Sequence, residues 1–341
     1  MVAPVPLPRV TDDLPGTGGT IKESPEDFLV EEVPAYAPSG KGEHCFVFFE
    51  KVDLTTAEAV RRIASALHVY PGEAGVAGQK DRHARTRQWI SLQGVAPERA
   101  LGLHVEGVQV LEAALHENKL RTGHLRGNRF EIRIRGVAAD AGDRAAPILE
   151  RLEAAGVPGY FGPQRFGRDG RGAEFAREWL AGRAKPPRDR GARKLGASAW
   201  QSAIFNEVCA RRVRLGWLRA LSGDLCRKED TGGLFHDVDV VALQQRMDRA
   251  EISPTGPMPG AKMREPVADA LLFEQEGIGS ADDVHDIVRR WAAILPGTRR
   301  PLRHFPKEVS VRVEADSLLL SFTLPSGAYA TVLLDEVTKN G

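Results

Sequence analysis

The chain has 341 residues, of which 42% are hydrophobic and 27% are charged, and this ordinary globular composition excludes wholesale disorder. Its 47 Lys and Arg residues nearly balance its 46 Asp and Glu residues, so any affinity for a polyanion depends on where the charges lie rather than on their sum. Three cysteines, Cys45, Cys209 and Cys226, are too few for a disulfide framework and lack the spacing of a zinc site.

The N-terminus carries no pattern of basic residues followed by an apolar run, as a signal peptide would. No apolar run approaches the roughly 20 residues that a membrane helix needs. These features predict a soluble protein of the reducing cytoplasm that does not enter a membrane.

The first 155 residues mix predicted strands and helices without the regular alternation of a doubly wound sheet. Residues 1–19 are rich in proline and glycine, which predicts an irregular N-terminal arm. Thr55 and Glu58 match a capping box that begins a helix, and Pro71-Gly72 closes it. The other elements predicted in this part are strands at 28–30, 44–49, 89–92, 105–111 and 130–134 and a helix at 143–155.

The charge composition and the predicted secondary structure change after Pro158. Residues 159–215 hold 13 Lys and Arg residues against 5 Asp and Glu residues, a local surplus of eight positive charges. The elements predicted beyond this point are helices at 172–181, 197–215 and 267–288, an exposed basic loop at 184–194, and strands at 309–313, 318–323 and 329–334. A mostly helical segment between two β-rich segments indicates an insertion whose flanking pieces pair into one sheet.

The densest polar cluster is the run from Gly78 to Gln88, where one carboxylate, Asp81, lies among four cations within eight residues. Neighbouring Lys and Arg side chains favour the ionised form of an Asp, which suits a carboxylate nucleophile. The alternative is a solvated Asp that caps a helix in a basic loop. The charge pattern alone leaves both interpretations open.

Two further segments have the composition of RNA-binding loops. Residues 119–130 form a basic turn with Lys119, Arg121, Arg126 and Arg129, suited to phosphate contacts. In the same turn Asn128 could bond a base edge, and Phe130 is either a base contact or a core residue. Residues 160–171 interleave aromatic residues with arginines, including Arg168, which indicates stacking on bases or a packed turn.

Other sites are weakly indicated. The glycine clusters at 16–19 and 167–172 do not match a dinucleotide-binding fingerprint, and the histidines show no ligand spacing. No Ser or Cys lies in a nucleophile elbow. The sequence therefore predicts no metal site.

Residues 77–92 carry the pattern G-x-K-D-x-x-A-x-T-x-Q, which resembles the signature of the TruD family of tRNA pseudouridine synthases. Further segments resemble the family in the same order. They are IKESPEDFLVEEVP (21–34), KLRTGHLRGNRF (119–130), VPGYFGPQRFG (157–167), PSGAYATVLLDEV (325–337) and, more weakly, SAWQSAIFN (198–206) and ISPTGPMPG (252–260).

The resemblance implies an α+β fold: a pseudouridine-synthase catalytic domain with a mixed, largely antiparallel sheet, and an inserted, mostly helical TruD-specific domain. On this resemblance the catalytic domain is expected at 1–157 and 305–341 and the insertion at 158–304, and the change in composition near 157 agrees with that division. The implied reaction is isomerisation of uridine 13 of tRNA to pseudouridine, with tRNA as the partner, no cofactor and no obligate protein partner.

The same resemblance assigns site residues. Asp81 matches the catalytic Asp of the family, and Phe28, Asn128 and Tyr329 match positions that contact the target base. Lys22 and Lys80 match basic positions near the catalytic carboxylate, and Phe130 follows Asn128 in the GNxF motif. The family often has Phe where Tyr329 stands, and Asn where Gly159 stands. Two alternatives stay open: an RNA-binding protein of this fold without catalysis, and a synthase acting on another RNA uridine.

Overall fold

The computed structural model describes residues 6–167, 169–278 and 281–340, so Arg168 and the middle of the predicted helix at 267–288 lie outside the described residues. In chain order the strands are β1 Gly18–Thr20, β2 Phe28–Pro34, β3 His44–Val52, β4 Gly75–Val76, β5 Arg85–Gln93, β6 Val108–His116, β7 Leu125–Val137, β8 Val157–Pro158, β9 Leu225–Lys228, β10 Leu234–His236, β11 Ile252–Met258, β12 Thr298–Pro301, β13 Arg303–His304, β14 Lys307–Glu314 and β15 Ser317–Pro325. The helices are α1 Thr56–Ala66, α2 Pro97–Leu101, α3 Ala141–Ala155, α4 Gly172–Leu180, α5 Arg190–Gly216, α6 Val240–Asp248, α7 Ala268–Ile278, α8 Ala281–Arg290 and α9 Ala330–Thr338.

The larger sheet has the strand order β14-β15-β7-β2-β5-β3-β6, with β1 beside β7 and β4 beside β5. The β2–β5 pair is parallel and the other described pairs are antiparallel. This mixed, largely antiparallel sheet with helices confirms the predicted fold class. The C-terminal strand β15 pairs with β7 over nine residues, so the two ends of the chain share one sheet.

Helices cover one face of this sheet in two separate places. Helix α1 packs Val60 and Ile63 against Val47 and Ile90 of β3 and β5. Helices α3 and α9 pack on the other half of the same face, over Phe28, Val30, Phe130, Ile132 and Leu320. The sheet therefore supports two apolar clusters with a gap between them.

The segment between β8 and β13 forms a second structural layer. It contains α4 to α8 and a four-stranded sheet in the order β10-β9-β11-β12. Strand β8 pairs with β13 where the chain leaves the first sheet and returns to it.

The prediction of a strand at 329–334 is wrong, because residues 330–338 form helix α9. Strand β15 ends at Pro325, Gly327 adopts a φ of +87°, and Tyr329 is the N-cap of the helix. Ala330, Leu333, Leu334 and Val337 are buried in the spacing of one helix face. A short apolar run of this kind does not distinguish a strand from a buried helix by periodicity alone.

Other predicted bounds are corrected locally. Strand β6 begins at Val108 rather than at 105, because Val105 and Val108 close a turn in which Gly107 has a φ of +73°. The basic loop predicted at 184–194 extends only to Asp189. The carboxylate of Asp189 accepts from the Ala192 amide at 2.7 Å and begins α5 at Arg190. The acidic segment 267–288 forms two helices, α7 and α8, rather than one.

The capping box is confirmed, since the Thr55 hydroxyl accepts from the Glu58 amide and the Glu58 carboxylate accepts from the Thr55 amide. Of the predicted N-terminal arm, residues 6–17 are irregular as predicted, Gly18–Thr20 forms β1, and residues 1–5 lie outside the described residues. The irregular part is held to α9. Arg9 forms two hydrogen bonds with Asp335, and the buried Glu336 carboxylate accepts from the backbone amides of Val10 and Thr11.

Candidate active site

A polar strip occupies the gap between the two apolar clusters on the helix-covered face of the larger sheet. Strand register places Lys51 opposite Thr86 and places Thr86 opposite Val30 of β2. Glu32, two residues further along β2, lies opposite Asn128 of β7. Residues two apart on a strand point to one face, so these polar side chains line a common strip.

Asp81 lies in the loop between β4 and β5, beside this strip. The Lys22 ammonium contacts Asp81 Oδ2 at 2.7 Å, across 59 residues of sequence. The Asp81 side chain is 55% exposed, and Oδ1 has no hydrogen-bond donor among the described residues. Lys22 itself has a φ of 62°, an uncommon conformation for a residue with a side chain. The pair thus leaves one carboxylate oxygen open to solvent.

Two buried polar groups fix the loop that carries Asp81. The Lys51 ammonium donates to the Asp81 carbonyl at 2.7 Å, and its side chain is fully buried. The Thr56 hydroxyl, at the first turn of α1, accepts from the Lys80 amide at 2.9 Å and donates to Gln88 at 3.0 Å. Burial lowers the pKa of Lys51 to about 8, because an ammonium is poorly solvated there.

Lys80 and Asn128 belong to one buried network. The Lys80 ammonium donates to Asn128 Oδ1 at 2.7 Å and to Glu32 Oε2 at 3.1 Å. Burial raises the pKa of Glu32, and the Lys80 charge opposes that rise. Because Asn128 Oδ1 already accepts from Lys80, the Asn128 NH2 group is the one left to donate to a ligand.

The cations next to Asp81 in sequence contact other carboxylates. The expectation that these neighbours keep the Asp81 carboxylate ionised is therefore corrected. Arg85 pairs with Glu50 at 3.1 Å, and Arg82 lies 3.9 Å from Asp53. The cations that contact Asp81 are Lys22, which the resemblance indicated, and Lys51, which it did not. The available signal was a Lys at an inward position of β3, two residues after the buried Phe49.

The two phenylalanines differ in their surroundings. The Lys22 ammonium lies 4.2 Å from the ring centroid of Phe28, which is 3% exposed. Phe130 packs its ring edge-to-face with Phe28 at 6.4 Å and stacks on Phe322 at 5.1 Å. Phe28 and Phe130 lie in the same apolar cluster, and Phe130 is 7% exposed. Phe130 is therefore a core residue, which is one of the two alternatives that the sequence left open.

Tyr329 lies in a neighbouring aromatic cluster. Its ring meets Phe161 edge-to-face at 5.8 Å, and Phe161 meets Phe205 in the same manner at 5.5 Å. Strand register connects this cluster to the polar strip, because Leu324 lies opposite Asn128 five residues before Tyr329. Direct contacts thus join Lys22 to Asp81 and to Phe28, and they separately join Lys80 to Asn128. Tyr329 lies at the start of α9 and contacts none of these residues directly among the ring contacts and hydrogen bonds of the described residues.

In the described part of the chain, no group of three or more His, Cys, Asp or Glu side chains is arranged to hold a metal ion. Burial raises the pKa of Cys45 to about 11 and those of Cys209 and Cys226 to about 12, which keeps these thiols protonated near neutral pH. None of the described helices is long and apolar enough to cross a membrane.

Comparison with known proteins connects this site to a family. The family model described as tRNA pseudouridine synthase D (TruD) matches residues 8–174 and 189–337. The chain is 45% identical to tRNA pseudouridine synthase D of Anaeromyxobacter dehalogenans, over 98% of this chain and 96% of that protein. It is 42% identical to tRNA pseudouridine synthase D of Thermus thermophilus, over 98% and 93% of the two chains.

A solved structure supports the fold. The crystal structure of a putative tRNA pseudouridine synthase D from Methanosarcina mazei aligns with a TM-score of 0.77 at 21% identity. The alignment covers 97% of this chain and 96% of that one.

Proposed function

Because the chain belongs to the TruD family of tRNA pseudouridine synthases, which are isomerases, we propose that it converts uridine 13 of tRNA to pseudouridine with Asp81 as the nucleophile. The observation that carries the proposal is the contact of Lys22 with both Asp81 and the ring of Phe28. It places a carboxylate, a cation and an aromatic residue at one point of the polar strip. A carboxylate with one open oxygen is suited to covalent attack.

The target base leaves the RNA stack to reach this point, as bases do in enzymes that act on them. The base then takes the place of the Lys22 ammonium on Phe28, while the ammonium keeps its contact with Asp81 Oδ2. The Asn128 NH2 group donates to a carbonyl oxygen of uracil. Lys80 and Glu32 hold that amide in its orientation through their buried contacts.

The chemistry follows from the substrate atoms. Asp81 Oδ1 attacks either C1′ of the ribose or C6 of uracil, and the N1–C1′ bond breaks. The detached ring rotates, C5 bonds to C1′, and the carboxylate leaves. C5 then loses its proton and N1 gains one, so the product is an isomer of the substrate and no atom comes from elsewhere.

The proposal includes the domain division at 1–157 with 305–341, and 158–304. The pairing of β8 with β13 at the junction supports it, as does the shared sheet of the two chain ends. We place the tRNA in the cleft between the two domains. The basic turn with Lys119, Arg121 and Arg126 would provide one wall and the basic start of α5 the other.

The test is to incubate tRNA with the wild-type protein and with Asp81→Asn, and to map pseudouridine by carbodiimide-primer extension. We expect wild type to modify uridine 13. We expect Asp81→Asn to form no product while its tRNA affinity and melting temperature stay close to wild type, because the Asp81 side chain is 55% exposed and ion pairs at exposed carboxylates contribute little to stability. Modification at another uridine would reject the assigned position, and binding without modification by wild type would indicate an RNA-binding protein.

A further inference from the structure

Two arginines share one aromatic ring beside Tyr329. The guanidinium carbon of Arg165 lies 5.4 Å from the ring centroid of Phe161, and that of Arg300 lies 4.2 Å from it. Arg165 is in the short turn Pro163–Phe166, and Arg300 is on β12, so two distant segments bring these charges together. The Phe161 ring also meets the Tyr329 ring edge-to-face.

Neither guanidinium forms an ion pair with a carboxylate in the described residues. Arg165 donates to the hydroxyls of Ser198 and Ser202, and Arg300 donates to the carbonyls of Gly159 and Gly327. A guanidinium has five N–H donors, so donors remain on both side chains. Burial lowers the pKa of Arg300 to about 10, and the nearby charge of Arg165 adds to this effect.

Neighbouring arginines on the same segment behave differently. Arg299, next in sequence to Arg300, is neutralised by the buried carboxylate of Glu274. Arg303 also lacks a carboxylate, but it is 1% exposed and donates to Ser253 and to three carbonyl oxygens, which makes it a structural residue. Arg165 and Arg300 are both partly exposed, so their uncompensated charges are available to a ligand.

An unpartnered hydroxyl lies next to Gly162, which begins the turn that carries Arg165. Thr331 Oγ1 is buried and has no hydrogen-bond partner among the described residues. A Cβ placed on Gly162, three residues before Arg165, would lie 2.8 Å from Thr331 Oγ1 and 3.1 Å from the Tyr329 ring. Thr331 is in the first turn of the nine-residue helix α9, whose N-terminal amides favour an anion.

We propose that Arg165, Arg300 and Thr331 form a subsite for an RNA backbone phosphate next to the nucleotide whose base reaches Tyr329. Two guanidiniums and a hydroxyl supply donors that match phosphate oxygens, and the guanidinium plane suits a phosphate better than a point charge does. This inference rests on the proposed function for the position of the target base. It assigns the phosphate contact that would hold the extruded nucleotide in place.

The test uses Arg165→Gln, because Arg300 also carries backbone hydrogen bonds that a substitution would break. We expect its affinity for tRNA to fall about tenfold and the slope of log affinity against log salt to flatten by about one unit. Arg165→Lys should keep the slope and lose part of the affinity. Arg312→Gln, which removes an exposed arginine near Glu314, is the matched control and should change neither.

A second measurement locates the phosphate. Uncharged methylphosphonates are placed one at a time at the phosphates flanking the target uridine. One of them should weaken binding by wild type and have no further effect on Arg165→Gln. Equal losses for both proteins at every position, or an unchanged salt slope, would overturn the subsite.

Pseudouridine yield on unmodified tRNA is scored separately. A wild-type protein with no yield but with the phosphate effect would reject the proposed function and keep the subsite. Normal yield without the phosphate effect would keep the proposed function and reject the subsite.

Discussion

At the residue scale, Lys51 is a charged side chain of the site that is fully buried. It lies at an inward position of β3, and its ammonium reaches the backbone of Asp81 rather than a carboxylate. A buried ammonium without a close anionic partner is costly, and the lowered pKa is the measure of that cost. The hydrogen bond from the Lys51 ammonium to the Asp81 carbonyl fixes the position of Asp81.

The sign of the pH effect follows from the pKa of about 8, which is lower than the ordinary value of 10.5. Below pH 8 Lys51 is protonated in both the folded and the unfolded protein, and its burial penalty is fully present. As the pH rises from 8 toward 10.5, the folded protein loses this proton first, so the free energy of unfolding contributed by Lys51 increases by about 1 kcal/mol per pH unit.

We therefore predict that the free energy of unfolding of wild type minus that of Lys51→Met increases between about pH 8 and about pH 10. Contributions from the three cysteines are common to both proteins and cancel. Denaturant unfolding at several pH values measures this difference, and Lys41→Met, at an exposed lysine, is the control. A difference that does not vary with pH would mean that Lys51 has an ordinary pKa.

Phe28 and Phe130 provide a matched pair for separating chemistry from packing. Leu keeps either position apolar but is smaller than the ring, so each variant should lose about 0.5–3 kcal/mol of stability. We predict that Phe28→Leu lowers turnover about 10- to 100-fold with little loss of tRNA affinity, because stacking on one base is worth about 1–3 kcal/mol. Phe130→Leu should lower the melting temperature and leave the turnover of the folded protein nearly unchanged. Equal turnover in the two variants would remove the base-stacking role from Phe28.

At the scale of elements, the loop of Asp81 is positioned by the start of α1. The capping box of Thr55 and Glu58 fixes the first turn, and this places the buried Thr56 hydroxyl between the Lys80 amide and Gln88. The helix terminus and the Asp81 loop are thus one unit, although 24 residues separate Thr56 from Lys80.

Thr56→Val keeps the shape of the side chain and removes its hydroxyl. We predict a loss of about 1–3 kcal/mol in the free energy of unfolding, because the Lys80 amide is left without a partner. Turnover should fall by more than the unfolded fraction explains, since Asp81 is the next residue. Thr56→Ser, which keeps the hydroxyl, should restore both. Urea titration and single-turnover kinetics measure the two effects. Wild-type turnover in Thr56→Val would show that the start of α1 does not position the loop of Asp81.

At the scale of the whole molecule, a net charge of +1 conceals an uneven distribution. Several basic residues of 159–215 are neutralised within the fold, as Arg212 is by Asp224 and Arg183 by Glu178. Arg188 and Arg190, at the start of α5, are exposed and form no ion pair among the described residues. Arg193 donates to the carbonyls of Pro187 and Arg188 and is part of the local structure.

We predict that Arg188→Glu with Arg190→Glu weakens tRNA binding and flattens its log–log salt dependence by about two units, because neither side chain could then bind a phosphate. The melting temperature should not fall, because acidic residues are favourable near the N-terminus of a helix. The control is Arg289→Glu with Arg312→Glu, which changes the total charge equally at exposed positions elsewhere. The same slope for both double variants would place the RNA away from the start of α5.

Features that are encoded locally could be predicted from the sequence. The capping box located α1, alternation located β7, and the ordered motifs indicated the family and with it the mixed sheet. The tertiary structure alone decided that 330–338 is a helix, because a short apolar run is compatible with either state until its packing partners are known. It also decided that Lys51 meets the Asp81 backbone, since the two residues are 30 positions apart and come together only through strand order and register. The nearer cations lie beside Asp81 in the chain but pair with other carboxylates, Arg82 with Asp53 and Arg85 with Glu50, because the bends at 82–84 turn the chain away from Asp81 before β5 begins.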